Sequence, residues 1–414
     1  MLKHKRTLAG ILAATMMLSM AACGGGGSSK GGDSNAAEGP QDPNAAAAAG
    51  TLELTDWEQS SGIFNTDDTD EELYEKAKEE GKVTVYSISS RITKVAKAFE
   101  EKYPGVTVEP FDISTNELLE KVTREYDAGQ HVADVVHIKD QDGTLYNEYV
   151  TARKFYNYKP ADILSHIDEK YTSTQTPLYI ELTQLFYNAE ANPDGSPITN
   201  IWQLTEPQWK GKIMMQNPLD NLSWGSWITG FCVGEEPNRL AEAYKALYGE
   251  ELKLSDGCEN AGYEFLKRLH ANEPIFTASS DAIAEAVGTP GQQDPPVGFC
   301  ASSKLRKAAD NGWVFAPVNL EPDTGIPAVN TLYVVEGCEH PAAAKLLIRF
   351  MMGGIDGDTS GYKPFNTLGG WPVRDDIEPA EGSTPFSEIN VAPFDANEIF
   401  VNYNTVRDFW QMLG

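Results

Sequence analysis

The chain has 414 residues and a formal net charge of −28, which comes from 61 acidic and 33 basic residues. Such an acidic surface argues against nucleic acid or an anionic membrane as a binding partner, because like charges repel. The hydrophobic fraction of 41% is ordinary for a folded protein, and the length suits two domains better than one core.

The first 22 residues have the pattern of a signal peptide. A basic start is followed by an apolar stretch over residues 8–20, which is too short for a permanent membrane-spanning helix. Small residues precede Cys23, and this junction resembles the lipobox of bacterial lipoproteins. The resemblance implies that Cys23 is lipidated and holds the protein at the extracellular face of the cell membrane. An ordinary secreted protein is the alternative.

Residues 23–70 are predicted to be a flexible tether that begins at the lipidated cysteine. Gly, Ser and Ala dominate residues 24–50, and no apolar periodicity is present there. Residues 51–72 are acidic, and they predict a loosely packed extension. We therefore expect the folded body to begin near Glu71.

The stretch 81–140 alternates strands with helices. GKVTVYS predicts a strand, and the spacing of the apolar residues in ITKVAKAFEEKY predicts an amphipathic helix. GVTVEPFDI and ADVVHI predict further strands, separated by a helix that begins at Ser114 or Thr115. This order predicts a parallel sheet, in which ligands bind at the carboxyl ends of the strands. The loops 87–91 and 137–142 should lie at that edge.

The remaining sequence predicts a second region of alternating elements. TPLYIELTQLFYN reads as an extended crossover between lobes, and strands are predicted at IMM, VGFCA, WVFAPV and NTLYVVEG. Amphipathic helices are predicted at RLAEAYKALYG, AGYEFLKRLHAN, SDAIAEAVG and HPAAAKLLIRFMMG, and a last helix closes the chain.

Several phrases occur in an order that resembles the family 1 extracellular solute-binding proteins of ABC importers, in the branch with ferric-iron, polyamine and phosphonate binders. They include EELYEKAKEEGKVTVYSISSR, AFEEKYPGVTVE, HVADVVHI, CEHPAAAKLLIRFMM and GWPVRDDI. The resemblance implies an α/β, two-lobe type II periplasmic-binding-protein fold with the ligand cleft between the lobes. It places lobe 1 at residues 71–177 and 313–352, and lobe 2 at residues 178–312 and 353–414.

The resemblance also implies a monomer without cofactor or catalysis, which delivers a small-molecule ligand to a permease. In ferric-iron relatives, the strand after the SDAIAEAV-like helix ends in adjacent tyrosines, whereas here the sequence is VGFCASSKLRK. A hard trivalent cation prefers anionic oxygen ligands, and this chain offers hydroxyls and bases. Ferric iron is therefore kept as the alternative ligand.

Hydroxyl and basic side chains at predicted helix starts and strand ends favour a small organic anion, either a carboxylate or a phosphate or phosphonate. Serines before helices are also common as simple caps, and Trp224 is equally compatible with core packing. Ser302 and Ser303 rest on the family resemblance alone. The predicted ligand-binding residues are Ser87, Ser89, Ser90, Arg91, His137, Lys139, Ser223, Trp224, Gly225, Ser226, Ser302 and Ser303.

Motifs of other functional classes are missing from the sequence. It contains no GxSxG, HExxH or P-loop motif and no closely spaced Cys/His cluster, so no metal site is predicted. A lipoprotein enzyme and a sensor lipoprotein are the alternative classes. Beyond Cys23, the four cysteines at 232, 258, 300 and 338 permit two disulfides in three possible pairings, or four reduced thiols.

Overall fold

The computed structural model describes residues 42–393 and 395–414. The predicted signal peptide, Cys23 and the first part of the predicted tether lie outside these residues. No helix within the described ranges has the length and apolar character needed to cross a bilayer.

The described residues form eleven strands and fourteen α-helices. The strands are β1 (Lys82–Ser87), β2 (Thr107–Asp112), β3 (Val135–Lys139), β4 (Phe155–Tyr156), β5 (Thr176–Asn188), β6 (Ile213–Gln216), β7 (Ile275–Thr277), β8 (Val297–Ala301), β9 (Phe315–Pro317), β10 (Gly325–Val335) and β11 (Trp371–Pro372). The helices are α1 (Pro43–Ala48), α2 (Asp56–Ser61), α3 (Asp70–Glu80), α4 (Ile92–Lys102), α5 (Thr115–Asp127), α6 (Ala161–Leu164), α7 (Glu169–Thr172), α8 (Leu222–Gly230), α9 (Glu236–Tyr248), α10 (Ala261–Ala271), α11 (Ser280–Gly288), α12 (Ala308–Asn311), α13 (Pro341–Met352) and α14 (Ala396–Met412).

The sequence pattern explains the first strand–helix units. Five of the six residues of β1 are buried, as expected for a strand covered on both faces. Helix α4 buries Ile92, Val95, Ala96 and Phe99, which share one face at spacings of three and four. Helix α5 begins with a reciprocal cap, because Ser114 accepts from the backbone N–H of Glu117 while the Glu117 carboxylate accepts from Ser114.

The sheet has two parallel ends joined by long antiparallel strands. Its order is β2-β1-β3-β10-β5-β8-β6-β7. Strands β2, β1 and β3 run parallel to one another, as do β8, β6 and β7. Strands β10 and β5 pair antiparallel with each other and with the ends. We call the part around β1–β3 the first lobe and the part around β6–β8 the second lobe. The α/β, two-lobe fold class predicted from the sequence is confirmed.

The chain stays in the first lobe after α13, which packs in the core of that lobe. Tyr362, Phe365 and Ile377 pack in the same hydrophobic core as β1 and α4, although residues 353–414 were predicted to lie in lobe 2. Val406 and Trp410 of α14 pack in the core of the second lobe. Trp371 pairs with β5 at the crossover, and the chain passes to the second lobe after Ile377. The lobe boundaries stay a prediction.

Residues 52–70 are packed against the first lobe, whereas the sequence predicted a loose extension. Trp57 donates its ring N–H to the backbone oxygen of Cys338 at 3.0 Å. Glu58 is 1% exposed and accepts from the Tyr156 hydroxyl at 2.7 Å. Asp68 forms a buried ion pair with Lys345 at 2.7 Å. These partners lie far away in the sequence, and they bring the acidic segment into the folded body.

Candidate functional site

A cavity of about 570 Å³ lies between the lobes. The carboxyl ends of strands from both lobes reach its wall, as expected for an α/β sheet. Asp112 and Lys139 end β2 and β3, while Gln216 and Ala301 end β6 and β8. The two parallel ends of the sheet therefore direct their carboxyl edges towards one shared space.

Four helices also begin at the cavity. Its wall contains the residues at the starts of α4 and α5 from the first lobe, and of α8 and α11 from the second lobe. Each helix has at least nine residues, and each helix start carries partial positive charge and backbone N–H groups. The cavity wall is therefore suited to negative charge. The sequence analysis singled out the starts of α4 and α8 and missed those of α5 and α11.

Arg91, at the start of α4, is buried in the cavity wall. Its Nη2 donates to the Tyr179 hydroxyl and lies 3.2 Å from Glu181. The guanidinium group lies about 5 Å from the ring centres of Tyr179 and Phe365, a cation–π arrangement. Its Nε donates to the hydroxyl of Ser89 at 2.8 Å. Nη1 is buried and has no hydrogen-bond partner among the described residues.

Glu181 is the buried carboxylate of the site, and the sequence analysis did not identify it. It lies on β5 and contacts two predicted anion-binding cations, Arg91 and Lys139, with 2.6 Å to the Lys139 ammonium. Burial alone would raise the pKa of Glu181, but the nearby cations Lys139, Arg91 and Arg306 outweigh it and lower that pKa to about 2. Glu181 is therefore ionised at neutral pH, and it compensates part of the positive charge.

Arg306 is a basic cavity residue that was not predicted from the sequence. It lines the cavity, and its Nη1 donates to the backbone oxygen of Ser303 at 3.2 Å. Unlike Arg91, Lys139 and Lys304, it forms no ion pair with a carboxylate in the described part of the chain. Burial and the charge of Arg91 lower the pKa of Arg306, so the two guanidinium groups repel each other.

The second lobe contributes hydroxyl and indole groups to the wall. Ser223 and Trp224 at the start of α8 line the cavity, as does Ser303 after β8. At the start of α11, Asp281 pairs with Lys304 at 2.7 Å. Trp224 also packs against Trp227, with ring centres 5.2 Å apart. It therefore lines the cavity and also belongs to the core of the second lobe.

Seven of the predicted ligand-binding residues line the cavity, and five lie behind its wall. The seven are Ser89, Ser90, Arg91, Lys139, Ser223, Trp224 and Ser303. The five are Ser87, His137, Gly225, Ser226 and Ser302. Direct ligand contact stays a prediction for all of these residues; the five behind the wall are buried and do not line the cavity.

Ser87 and His137 lie next to each other beneath the cavity, on paired strands of the first lobe. The Ser87 hydroxyl lies 2.8 Å from His137 Nδ1, and neither residue is exposed. Burial and the charges of Arg91 and Lys139 lower the pKa of His137 to about 3. The imidazole is therefore neutral at physiological pH and supplies no positive charge to an anion.

The other three residues have packing roles in the second lobe or at the crossover. The Ser226 hydroxyl donates to the backbone oxygen of Leu222 at 2.8 Å, and the Ser302 hydroxyl accepts from the backbone N–H of Leu182 at 2.9 Å. A Cβ on Gly225 would lie 2.4 Å from the hydroxyl of Tyr403. A glycine at this position allows α14 to pack closely against α8.

The cavity does not offer a converging set of metal ligands. Within the described ranges, the one group of three or more His, Cys, Asp or Glu side chains with converging ligand atoms is His166, Asp375 and Asp376. These residues do not line the cavity. Tyr179 is the one tyrosine among the described lining residues, and its hydroxyl accepts a hydrogen bond from Arg91. Among the described residues, the cavity therefore lacks the converging anionic oxygens that iron prefers, and the absence of a metal site stays a prediction.

Solved structures with the same fold cover most of the chain. Iron-bound HitA from Pseudomonas aeruginosa has a TM-score of 0.60 at 14% identity, over 80% of this chain and 99% of that one. The substrate-binding protein of an ABC transporter from Agrobacterium tumefaciens has a TM-score of 0.58 at 15% identity, over 81% and 96%. AfuA from Actinobacillus pleuropneumoniae, with fructose-6-phosphate bound, has a TM-score of 0.55 at 17% identity, over 81% and 96%.

These identities are low, so the structural matches establish the fold and leave the ligand open. No curated protein matches the chain in sequence. A family model described as bacterial extracellular solute-binding protein matches residues 94–388, which is more than half of the chain. The matched range includes α4 except its first two residues, both long crossover strands and most of the cavity wall. The chain therefore belongs to the family of bacterial extracellular solute-binding proteins.

Proposed function

We propose that the protein is the substrate-binding component of an ABC importer that captures a small organic anion, a carboxylate or a phosphate or phosphonate, by closure of its lobes. The observation that carries the proposal is the pair Arg91 and Arg306. Arg91 Nη1 is buried without a hydrogen-bond partner among the described residues. Arg306 lines the same cavity and forms no ion pair at contact distance with a carboxylate of the described residues.

A bound anion would accept a hydrogen bond from Nη1 of Arg91 and would also offset the repulsion between Arg91 and Arg306. Burial and the charge of Arg91 lower the pKa of Arg306, and Glu181 and Asp281 offset only part of this effect; a negative group near the two arginines would oppose the lowering further. A charge-assisted hydrogen bond from a guanidinium to a carboxylate or phosphate is stronger than a neutral one. Because the two arginines belong to different lobes, their joint contact with the ligand would favour lobe closure.

The rest of the wall supports an organic ligand rather than a bare ion. A cavity of about 570 Å³ falls in the size range of small-molecule sites. Ser89, Ser90, Ser223 and Ser303 offer hydroxyl groups, and Trp224 offers an apolar surface for a carbon skeleton. The start of each of the four helices adds partial positive charge. The neighbour AfuA, which holds fructose-6-phosphate, is an organic phosphate binder of the same fold.

Ferric iron is the second candidate ligand, because HitA is iron-bound and has the same fold. The donor set of this cavity argues against it. Glu181 and Asp281 are paired with bases, and the Tyr179 hydroxyl accepts a hydrogen bond from Arg91. An iron ligand set would need these contacts to break first.

Delivery to a membrane permease follows from membership in the solute-binding family. We further infer that Cys23 carries a lipid anchor, because the sequence around it resembles a lipobox. Anchoring would keep the protein close to its permease at the extracellular face. Intact mass measurement of the protein from its membrane fraction tests this part separately, since diacylation at Cys23 adds the mass of a lipid and removal of residues 1–22 subtracts the signal peptide.

The test of the proposed function is a ligand screen of the full-length protein. Thermal unfolding is followed with organic acids, sugar phosphates, phosphonates, polyamines and ferric citrate, and native mass spectrometry then weighs the complexes. We expect one class of organic anion to raise the melting temperature, since a ligand at 100 times its Kd adds about 2.7 kcal/mol. Stabilisation by ferric citrate alone, or by polyamines alone, would overturn the proposal.

A further inference from the structure

The four cysteines of the described residues lie in three separate hydrophobic clusters. Cys338 belongs to the core of the first lobe. Cys300, on β8, packs in a cluster with Phe186 and Ile283. Cys232 belongs to the main core of the second lobe, and Cys258 packs against that same cluster. Cys232 and Cys258 are therefore the one pair among these four cysteines that packs in the same hydrophobic cluster.

The segments that carry Cys232 and Cys258 are in direct contact. Cys232 follows the end of α8, and Cys258 precedes the start of α10. The side-chain amide of Asn260, which caps α10, donates to the backbone oxygen of Cys232 at 2.9 Å. A Cβ on Gly262 would lie 2.8 Å from the Cα of Cys232. The backbone two to four residues beyond Cys258 is therefore pressed against Cys232.

The ionisation of the thiols agrees with this placement. Burial raises the pKa of the Cys232 thiol, and the charge of the Cys258 thiolate raises it further. Burial and a hydrogen bond to Glu264 raise the pKa of Cys258 to about 11. Both thiols are therefore protonated and unreactive in the folded, reduced protein. Oxidation would have to take place during folding, while the thiols are still exposed to solvent.

We propose that Cys232 and Cys258 form a structural disulfide when the protein folds outside the cell. Two Cys S–H bonds break and one Sγ–Sγ bond forms; the two electrons and two protons reduce a disulfide of a thiol–disulfide oxidoreductase, or of glutathione, to two thiols. Such oxidants are available outside the cytosol, where members of this family reside. In the oxidised protein, the Cys258 sulfur leaves Glu264 and turns towards Cys232.

The disulfide would restrain α8, which forms part of the cleft wall, at the end of the helix that lies away from the cavity. Helix α8 places Ser223 and Trp224 at the cavity, and its other end runs into Cys232. A bond to Cys258 would tie that end to the start of α10, so that α8 cannot shift along its axis without moving α10. The inference is independent of the nature of the ligand.

The pairing is tested by peptide mapping. The full-length protein is refolded with reduced and oxidised glutathione, free thiols are alkylated without reduction, and trypsin is added. Cleavage after Lys212, Arg239, Lys253 and Lys267 gives one peptide with Cys232 and one with Cys258. We expect the two peptides to be recovered as one species that lacks two hydrogen atoms. Recovery of both as alkylated peptides, or a link from either to Cys300 or Cys338, would overturn the proposal.

Thermal unfolding provides a second measurement. Reduction should lower the melting temperature of the wild-type protein by on the order of 4 °C. Cys258→Ser should have the lower melting temperature without reductant and show no further loss when reductant is added. Cys300→Ser serves as the matched control, because it removes a buried cysteine but leaves the proposed pair intact, so it should keep the response to reductant. A Cys258→Ser protein that still responds to reductant would contradict the pairing.

Discussion

The carboxylate of Glu181 lies 2.6 Å from the ammonium group of Lys139, and both residues belong to the wall of the cleft. The same carboxylate contacts Arg91 at 3.2 Å. Two of the cations that suggested an anion site are thus already paired within the protein. In the proposed anion site, the remaining attraction comes from Arg306, from the helix starts and from Nη1 of Arg91, which has no hydrogen-bond partner among the described residues.

Glu181→Gln should destabilise the protein and make its stability depend on added anions. Arg91 and Lys139 would lose their carboxylate while they remain at the cleft, and an uncompensated buried charge typically costs about 3–5 kcal/mol. A small anion such as phosphate should recover part of this loss by binding near the two cations. Chemical unfolding of wild-type and variant proteins, with and without phosphate, measures both effects.

Asp112→Asn is the control for this experiment, because Asp112 lines the same cavity and is exposed. Its replacement should change the unfolding free energy by less than about 0.5 kcal/mol.

The wild-type protein should also lose stability as the pH falls from about 4.5 to about 2, since the folded pKa of Glu181 is about 2, below its ordinary value. If Glu181→Gln loses as much stability as the wild type when the pH falls over this range, Glu181 does not cause the loss.

Arg306→Ala should weaken binding of the organic anion found in the screen. Loss of a hydrogen bond to a charged group costs about 1.5–3 kcal/mol, which corresponds to a roughly 10- to 150-fold higher Kd. The effect on folding should be small, because Arg306 is only half-buried and its one hydrogen bond to the described residues goes to a backbone oxygen. Isothermal titration calorimetry measures the change in affinity.

Lys307→Ala provides the comparison for Arg306. Lys307 is the next residue, it is also basic, and it pairs with Asp281 at 2.8 Å without lining the cavity. We expect its removal to leave the affinity within about threefold of wild type, as for a charge pair outside the site. Equal loss of affinity in both variants would indicate a general electrostatic effect and remove Arg306 from the binding site.

The sequence correctly predicted which loops lie at the cavity, but it did not predict which residues near those loops reach the cavity surface. Alternating strands and helices placed the loops after β1 and β3 at one edge of a sheet, and Ser89, Arg91 and Lys139 do line the cavity. Ser87 ends β1 two residues before the loop residue Ser89, and His137 lies two residues before Lys139 on the same side of β3. Both Ser87 and His137 are buried. Periodicity fixes which side a residue takes, but only packing determines which residue reaches the surface.

Glu181 and Arg306 were missed for a different reason. Glu181 lies within an apolar run that pattern analysis reads as a crossover strand, and its partners come from separate elements. Arg306 stands in a run of basic residues with Lys304 and Lys307. Only the structure shows that the two lysines pair with Asp281, whereas the arginine has no ion pair within the described part of the chain. Contacts between residues distant in the chain decide these roles, and a single sequence does not record them.

Asp68→Ala should destabilise the protein by about 3–5 kcal/mol, because it leaves the buried Lys345 ammonium without its carboxylate. The two side chains are at most 5% exposed and lie 2.7 Å apart. Asp67→Ala is the matched control, since Asp67 is exposed and should tolerate the change within about 0.5 kcal/mol. Urea unfolding compares the variants. Equal stability of the two would support the loose extension predicted from the sequence over the packed segment in the structure.

Glu236→Gln should remove a loss of stability at alkaline pH. Glu236 and Asp323 are both nearly buried in the second lobe. Burial, a hydrogen bond to Asp323 and the charge of Asp323 raise the pKa of Glu236 to about 9. The folded protein therefore keeps a proton that the unfolded chain releases above about pH 4.5, so the contribution to stability is complete below that pH and falls as the pH rises towards 9.

The glutamine variant keeps a neutral hydrogen-bonding group beside Asp323, and its unfolding free energy should stay nearly constant where that of the wild type falls. Arg239, which pairs with Asp323, stays charged across this range, and Glu321 adds a further negative charge near Asp323. Urea unfolding at about pH 5, 7 and 9 tests the difference, with the exposed Glu235→Gln as control. If wild type and Glu236→Gln follow the same curve, Glu236 is ionised in the folded protein, and its charge must then be balanced by Arg239 or by solvent rather than by a shared proton.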